Sequence, residues 1–243
     1  SFGTVDGPGT RFVVFFQGCP MRCLYCHNPD TWDPMGGTEM DADYILEQYE
    51  RNVAFYKGGG LTTTGGEPLL QIDFLIELYE KAKAKGIHTC LDTSGIVFQP
   101  NNAELIKKFD RLMEVTDLIM LDIKHIDPEK HQHLVSQPNA GILAFAEYTA
   151  QKGVDLWIRH VVVPGLTDDE EYLYKLGYFI GGLSNLKALD ALPYHTMGTV
   201  KYENLGKEYP LKDTPAMDKD VLITKKQAII DGVKARRAEL AAK

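Results

Sequence analysis

Residues 11–26 read RFVVFFQGCPMRCLYC, and they join an apolar run to a loop that carries three cysteines. The first six residues are rich in Phe and Val and are soon followed by a glycine, which is the pattern of a β-strand. The thiols of Cys19, Cys23 and Cys26 come next, at spacings of four and three residues. A strand that runs directly into such a loop is the first unit of the predicted fold.

Strand-like runs alternate with helical patterns along the rest of the chain. Six strands, each followed by a crossover long enough for a helix, predict a parallel sheet. A closed barrel would need about two more such units. We therefore predict an α/β fold, a partial (β/α)6 barrel in which an open arc of parallel strands with outer helices leaves a lateral groove; a doubly wound flat sheet is the alternative. The strands are predicted at residues 11–16, 61–64, 87–92, 118–124, 156–163 and 188–194, and the helices at 41–54, 72–85, 103–113, 140–152, 168–179 and from 224 onward.

The composition is that of a globular protein with a net negative charge. The chain has 26 basic and 34 acidic residues, a formal charge of −8, which disfavours nucleic acid as a partner. The apolar runs are too short to span a bilayer and no export signal is seen, so we expect no membrane association and a cytoplasmic location. No linker divides the chain, so residues 1–243 are predicted to form one domain, although residues 196–219 are turn-rich and show no clear pattern.

The use of cysteine indicates metal or redox chemistry rather than a disulfide framework, because three of the four cysteines lie within eight residues. Three thiols on a short loop can wrap one corner of a cubane iron–sulfur cluster. One iron would then stay open to a small molecule that bears an amine and a carboxylate. The fourth cysteine, Cys90, lies inside a predicted strand and is expected to be a buried, inert thiol.

Three other interpretations of the cysteine loop compete with a cluster. The stretch from Cys23 to His27 matches the attachment pattern of c-type haem, but that reading leaves Cys19 without a role. A zinc site with three cysteines and His27 would require two adjacent residues, Cys26 and His27, to reach one metal ion. A thioredoxin-like pair would not need the third thiol.

Charged residues stand at the ends of the predicted strands. Asp92 closes one strand, and Asp122 and Lys124 share a face at the end of the next. The carboxyl ends of the strands are where barrel enzymes hold their reactive groups. Two carboxylates and one ammonium leave a negative charge that must be compensated. Arg159 lies among apolar strand residues and needs an anionic partner.

A glycine-rich stretch follows the second predicted strand. Gly60 and Gly65 have the spacing of a phosphate-binding loop, but Gly66-Glu67 stands where Lys and Ser or Thr are required, so that interpretation fails. Two glycines at the end of a strand instead let backbone carbonyls approach a ligand closely, and free carbonyls attract cations and amines. A plain strand–helix turn is the alternative.

The cysteine spacing resembles the hallmark of the radical S-adenosylmethionine (SAM) enzymes, in which an aromatic residue, here Tyr25, precedes the last cysteine. In order and spacing, seven further blocks resemble the pyruvate formate-lyase activating enzymes, a family of that superfamily. The resemblance extends from Gly3 to about His195 and leaves the roles of residues 196–243 open. The blocks are Gly3-Thr-Val-Asp6-Gly-Pro-Gly9, His27-Asn28, Gly65-Gly66-Glu67, Asp92-Thr93, Met120-Leu-Asp122-Ile-Lys124, Trp157-Ile-Arg159 and Leu192-Pro-Tyr-His195.

This resemblance implies an iron–sulfur cluster, a SAM site, a small monovalent cation and a peptide site. Within the SAM site, the glycine block would meet the amine and Lys124 the carboxylate. Simpler alternatives are a structural Asp122–Lys124 pair, a core histidine at position 195 and a turn role for Asp6. His131 and His133 lie on a predicted surface segment and are expected to be solvated. The implied residues are Cys19, Cys23 and Cys26 for the 4Fe-4S cluster, Tyr25, Gly65, Gly66, Glu67, Lys124, Arg159 and His195 for SAM, Asp92, Thr93, Met120 and Asp122 for the cation, and Asp6 and His27 for the substrate peptide.

The function implied by the resemblance is that of an activase, which reductively cleaves SAM at the cluster and takes a hydrogen atom from a glycine of pyruvate formate-lyase. Flavodoxin or ferredoxin is the implied electron donor, the protein is expected to be a monomer, and no side chain is needed as an acid or base. Only Cys90 follows Cys26, so the extra cysteine clusters of related activases are absent, which favours the short type. The alternatives are a radical SAM enzyme for another glycyl radical enzyme or a small molecule, and a zinc-binding adaptor.

Overall fold

Seven strands form one open, curled sheet in the computed structural model, which describes residues 1–56 and 58–242. The strands lie side by side in sequence order, and every neighbouring pair after the first is parallel. A doubly wound sheet would reverse its strand order at a switch point, so the predicted open arc of six parallel strands is confirmed. The strands are β1 (Phe2–Gly3), β2 (Arg11–Phe16), β3 (Leu61–Gly65), β4 (Thr89–Thr93), β5 (Leu118–Asp122), β6 (Asp155–Val162) and β7 (Leu186–Pro193).

Helices cover the outer side of the arc. Each predicted helix is present, and the largest difference is at the last one, which begins at Lys219 rather than at residue 224. Among the strands and α-helices of the described residues, three were not predicted, namely β1 and the helices at Pro128–Val135 and Thr199–Asn204, because short segments contain too few residues to show a period. No helix within residues 1–56 and 58–242 is both long and apolar enough to cross a membrane. The helices are α1 (Ala42–Arg51), α2 (Ile72–Ala84), α3 (Ala103–Glu114), α4 (Pro128–Val135), α5 (Ala140–Lys152), α6 (Glu170–Gly181), α7 (Thr199–Asn204) and α8 (Lys219–Ala241).

The main hydrophobic core lies between the sheet and the helices. Residues alternate between the two faces of each strand, and the outward ones, such as Leu121 and Ile158, are fully buried against the helix layer. Phe109 of α3 and Phe145 of α5 supply large side chains to this layer, with their ring centres 5.5 Å apart. This packing holds the strands at a fixed spacing, so that their ends form a rigid frame.

The inward face of the arc has a second, smaller apolar cluster. Cys90, Leu118 and Met120 are buried there, and Trp157 packs against them. The thiol of Cys90 is fully buried, as predicted. Two residues further along β4 and β5, the same inward face becomes charged, so that the apolar cluster forms the floor beneath the polar ends of the strands.

The last helix packs very closely against α6 because glycines line the crossing. A Cβ atom on Gly177 would lie 1.9 Å from the carbonyl oxygen of Ile229, and one on Gly232 would lie 2.2 Å from the carbonyl oxygen of Tyr174. Only a residue without a side chain permits such an approach. The backbones of α6 and α8 are therefore in direct contact, and a single domain over residues 1–243 stays a prediction.

Candidate active site

The carboxyl ends of the strands open into a cavity of about 300 Å³. Barrel folds place their reactive groups at this end. Most of the site residues predicted from the sequence line the cavity, and Glu67, Met120 and His195 are the exceptions. The predicted residues that the cavity brings together are Asp6, Cys19, Cys23, Tyr25, Cys26, His27, Gly65, Gly66, Asp92, Thr93, Asp122, Lys124 and Arg159.

Three thiols face this cavity from the loop after β2. Burial raises the pKa of Cys19 to about 11 and that of Cys23 to about 12, and it also raises the pKa of Cys26. Thiolates become stable in such surroundings when a metal centre supplies positive charge. All four cysteines are in the described part of the chain. Cys90 lies in the apolar cluster on the inward face of the arc, which we call the lumen, and it does not line the cavity. The donor set therefore fits a cluster that is bound at three corners.

Two acidic and two basic side chains form a buried network beside the thiols. Lys124 Nζ donates to Asp122 Oδ2 at 2.9 Å, and Arg159 Nη2 donates to the same oxygen at 3.2 Å. Arg159 also forms a short hydrogen bond with Asp92. Arg159 thus has the anionic partner that was expected, and two carboxylates, those of Asp92 and Asp122, fill this role. Two cations facing two carboxylates make the network neutral, so Arg159 compensates the negative charge that the strand ends alone would leave.

The pKa values of these groups follow their neighbours. Burial by itself would raise the pKa of Asp122, but Arg159 and Lys124 together hold it below its usual value. Burial opposes the charge on Lys124, yet the adjacent carboxylate of Asp122 keeps the pKa of this amine well above the ordinary value. Lys124 is therefore a permanent cation inside the cavity, and its Nζ lies 5.5 Å from the centre of the Tyr25 ring, within reach of a cation–π contact.

Of the four residues expected around a monovalent cation, three line the cavity and one does not. Asp92 and Asp122 line the cavity, whereas Met120 is buried in the apolar cluster of the lumen. Thr93 Oγ1 donates to Glu67 at 2.6 Å, and Thr64 Oγ1 donates to Asp92 at 2.7 Å. The charge of Asp92 and Asp122 is already balanced by protein groups, so a cation at these residues stays a prediction.

The glycine pair at the end of β3 is required by the close approach of two backbone segments. Gly65 has a φ of +109°, and a Cβ atom on it would lie 2.6 Å from the amide nitrogen of Phe16. A Cβ on Gly66 would lie 2.2 Å from the carbonyl oxygen of Gly18, at the start of the cysteine loop. The pair thus lets the end of β3 lie directly against that loop, where both glycines line the cavity.

Glu67, the third member of this block, is turned away from the cavity. Its carboxylate is almost fully buried and accepts hydrogen bonds from the Leu69 amide (3.1 Å), the Thr93 hydroxyl (2.6 Å), and the amide and hydroxyl of Ser94 (3.0 and 2.5 Å). These four donors occupy the carboxylate. The geometry therefore favours a role for Glu67 in clamping the end of β4 against the glycine pair, which leaves Gly65 and Gly66 as the members of the block that line the cavity.

His27 and His195 stack on each other at the rim. Their ring centres lie 4.3 Å apart, and the Nε2 atom of His27 lies 3.2 Å from the carbonyl oxygen of His195. His27 lines the cavity, whereas His195 is not among the lining residues. Burial lowers the pKa of His27, and the neighbouring His195 lowers it further. His195 is partly buried, and its Nδ1 is buried without a hydrogen-bond partner among the described residues, so the structure does not show a satisfied core histidine and the assignment of His195 to SAM stays a prediction.

Asp6 reaches the cavity through a turn that Arg11 holds in place. The fully buried Arg11 donates from Nη1 to the carbonyl oxygen of Pro8 at 3.1 Å and from Nε to the hydroxyl of Thr62 at 2.5 Å. Thr62 in turn donates to the carbonyl oxygen of Asp6 at 2.7 Å. Arg11 was not predicted as part of the site, although a charged residue at the start of an apolar strand was a visible signal.

Residues 196–217, whose roles were left open, cover the far side of the cysteine loop. Tyr202 and Tyr209 are buried and pack edge to face, with 5.0 Å between their ring centres. Lys201 Nζ donates to Asn28 at 2.7 Å and to both carboxylate oxygens of Asp30 at 3.0 Å. This segment, which we call the cover, shields the cysteine loop from solvent.

The expectation of a solvated His131 is wrong. His131 lies in the unpredicted helix α4 and is fully buried, and its Nδ1 donates to the carbonyl oxygen of Gln137 at 2.7 Å. The physical reason is that α4 packs beneath the cysteine loop instead of lying on the surface, since Leu134 and Val135 share a core cluster with Tyr25. His133, on the opposite face of the same helix, is exposed as predicted.

Comparisons with known proteins agree with this geometry. The profile of the radical SAM superfamily matches residues 13–177. A pyruvate formate-lyase-activating enzyme of Listeria monocytogenes is 51% identical over 224 residues, which cover 91% of this chain and 90% of the relative. The pyruvate formate-lyase 1-activating enzyme of Escherichia coli K12 is 45% identical over 224 residues, which cover 91% of this chain and 89% of the relative.

Solved structures show the same fold. A crystal structure of a domain of pyruvate-formate lyase-activating enzyme from Bacteroides vulgatus has a TM-score of 0.58 and 25% identity, and the match covers 72% of this chain and 95% of that one. Streptococcus suis SuiB bound to S-adenosylmethionine has a TM-score of 0.65 at 17% identity, over 93% of this chain and 48% of that one, and it supports the fold alone. Because the superfamily profile covers most of the chain and full-length relatives are about half identical, the chain belongs to the radical SAM superfamily and, within it, to the pyruvate formate-lyase-activating enzymes.

Proposed function

We propose that this protein installs the glycyl radical of pyruvate formate-lyase, the protein that its relatives are named for activating. The observation that carries the proposal is the convergence of three thiols, a buried ammonium and a glycine pair on one cavity. When bound there, a reduced 4Fe-4S cluster and SAM supply the radical that takes a hydrogen atom from a glycine of the partner. The protein itself holds and orients these groups and excludes water from the cavity.

The cavity walls are suited to the amino-acid end of SAM. Lys124 uses one of its three N–H donors on Asp122, so donors remain for a carboxylate. Gly65 and Gly66 provide backbone at the end of β3, where carbonyl oxygens can accept from an amine. Arg159 has an Nε atom that is buried without a partner among the described residues, which makes it a second candidate donor.

The open side of the arc is suited to an extended peptide. Asp6 and His27, which we propose as its polar contacts, line the cavity from the N-terminal turn and from the end of the cysteine loop. Phe15 of β2 and Leu192 of β7 also line the cavity, and they are 51% and 38% exposed. A bound glycine-containing segment would bury these apolar side chains and close the cavity to water.

Further parts of the proposal rest on the family resemblance. We propose flavodoxin or ferredoxin as the electron donor, a monomeric enzyme, and a monovalent cation near Asp92 and Asp122. We also propose a cytoplasmic location, because three free thiols on one loop require a reducing compartment.

The test is anaerobic turnover with the protein substrate. Protein reconstituted with iron and sulfide should hold about four irons. After reduction with SAM and pyruvate formate-lyase, it should release 5′-deoxyadenosine and give the EPR doublet of a glycyl radical. Cys23→Ala should lose both signals and most of the iron, whereas the matched Cys90→Ala variant, altered in the apolar lumen, should keep them. SAM cleavage without the doublet would point to a different substrate, and retention of iron by Cys23→Ala would overturn the ligand assignment.

A further inference from the structure

The cysteine loop, residues 19–26, is bonded through its backbone to the last turn of α4. The Arg22 amide donates to the Val135 carbonyl oxygen at 2.9 Å, and the Leu24 amide donates to that of Leu134 at 3.0 Å. Carbonyl groups in the last turn of a helix have no partner within the helix. The loop and the end of α4 therefore satisfy each other's backbone groups, although more than a hundred residues separate them in the sequence.

One side chain extends this contact to the residue after the first thiol. Gln137 Nε2 donates to the carbonyl oxygen of Pro20 at 3.1 Å. Gln137 is itself held, because its carbonyl oxygen accepts from the buried His131 at 2.7 Å. Ser136, with a φ of +63°, turns the chain from the end of α4 toward this position. Two hydrogen bonds therefore connect His131 to Pro20, one to the main chain of Gln137 and one from its side chain.

The bond to the Pro20 carbonyl sets the plane of the peptide between Pro20 and Met21, which is the second peptide after Cys19. Proline has a restricted φ and no N–H, so the carbonyl group is the one polar backbone group by which this residue can be fixed. We propose that Gln137 is a positioning residue of the cluster site, which holds the peptide between Pro20 and Met21 so that the loop keeps the Cys19 thiol directed at the cavity. Groups that orient metal ligands from outside change metal affinity when they are removed. This inference concerns cluster retention and does not depend on which protein the enzyme activates.

The test compares two variants of Gln137 with a control on the same segment. Gln137→Met keeps the shape of the side chain and removes the donor, whereas Gln137→Lys retains a donor. Gln132→Met changes an exposed side chain of α4 and serves as the control. Each reconstituted protein is treated anaerobically with an iron chelator, and the rate of iron loss is followed. The EPR spectrum and reduction potential of the reduced cluster are recorded before treatment.

We expect Gln137→Met to lose iron about fivefold faster than the wild type, the factor that one neutral hydrogen bond represents. Its EPR spectrum or potential should shift, Gln137→Lys should recover most of the difference, and Gln132→Met should match the wild type. Equal rates and spectra in Gln137→Met and wild type would overturn the proposal. Faster loss that Gln137→Lys does not correct would overturn it as well, because packing and not the donated bond would then be responsible.

Discussion

Replacing Lys124 with methionine should weaken SAM binding strongly while the fold is retained. The lysine side chain is 14% exposed, and its Nζ lies 2.9 Å from Asp122 Oδ2. In the wild type, Lys124 and Arg159 balance Asp92 and Asp122, so the network is neutral. The variant carries one net negative charge at the place where a carboxylate is to bind. Asp122 keeps its hydrogen bond from Arg159 at 3.2 Å, so no carboxylate is left without a partner.

The size of the effect follows from the lost bond. A hydrogen bond between charged groups contributes about 1.5–3 kcal/mol. A factor of ten in affinity corresponds to about 1.4 kcal/mol, so SAM should bind about 10- to 150-fold more weakly to Lys124→Met. The more negative site adds repulsion in the same direction, and we therefore expect a value in the upper half of that range.

Calorimetric titration of SAM into the anaerobic, cluster-loaded protein measures this effect. Lys124→Arg keeps the charge and should recover part of the affinity. The double variant Lys124→Met/Asp122→Asn restores neutrality without restoring the ammonium, and it should bind as weakly as Lys124→Met or only slightly better. Unchanged affinity in Lys124→Met would refute the assignment of Lys124 to the carboxylate. Full recovery in the double variant would refute it too, since net charge and not direct contact would then explain the loss.

Three further predictions concern parts of the molecule outside the SAM contacts. Lys201→Met removes the bonds that join the cover to Asn28 and Asp30, so the cluster should bleach faster in air, as followed by its visible absorbance, while a control Lys207→Met should behave as wild type. Gly177→Ala places a Cβ against α8 and should lower the free energy of unfolding by about 1–3 kcal/mol in denaturant titration; an unchanged midpoint would contradict the close crossing. Burial lowers the pKa of His125 to about 4, below the ordinary value of about 6.5. As the pH falls, His125 is protonated in the unfolded chain before it is protonated in the folded protein. The free energy of unfolding should therefore fall as the pH drops from about 6.5 toward 4, by up to about 3 kcal/mol. The variant His125→Gln should show a flatter dependence of this free energy on pH.

The order of the elements was predictable because period and length are local properties. The apolar run of β2, the amphipathic pattern of α2 and the glycine that ends α5 can each be recognised within a few residues. Strands that alternate with helices leave few possible topologies. The short elements α4 and α7 could not be recognised in this way, since eight and six residues make only about two turns each.

The candidate site was predictable in its members and much less so in their contacts. Spacing identified Cys19, Cys23 and Cys26, and the ends of parallel strands meet at one edge, so Asp92 and Asp122 had to be near each other. The salt bridges of Arg159 to both carboxylates join residues 67 and 37 positions apart. No local sequence pattern can predict contacts between residues that are so far apart in the chain.

The amino-acid sequence by itself determined the family, the strand order and the thiol-bearing loop, because motif spacing and periodicity are written along the chain. Only the tertiary structure decided that Arg159 balances the strand-end carboxylates, that Glu67 is occupied by Thr93 and Ser94, and that His131 is buried beneath the loop. The physical reason is that charge balance, hydrogen-bond saturation and burial depend on which groups meet across space, and those partners come from strands and helices far apart in the chain.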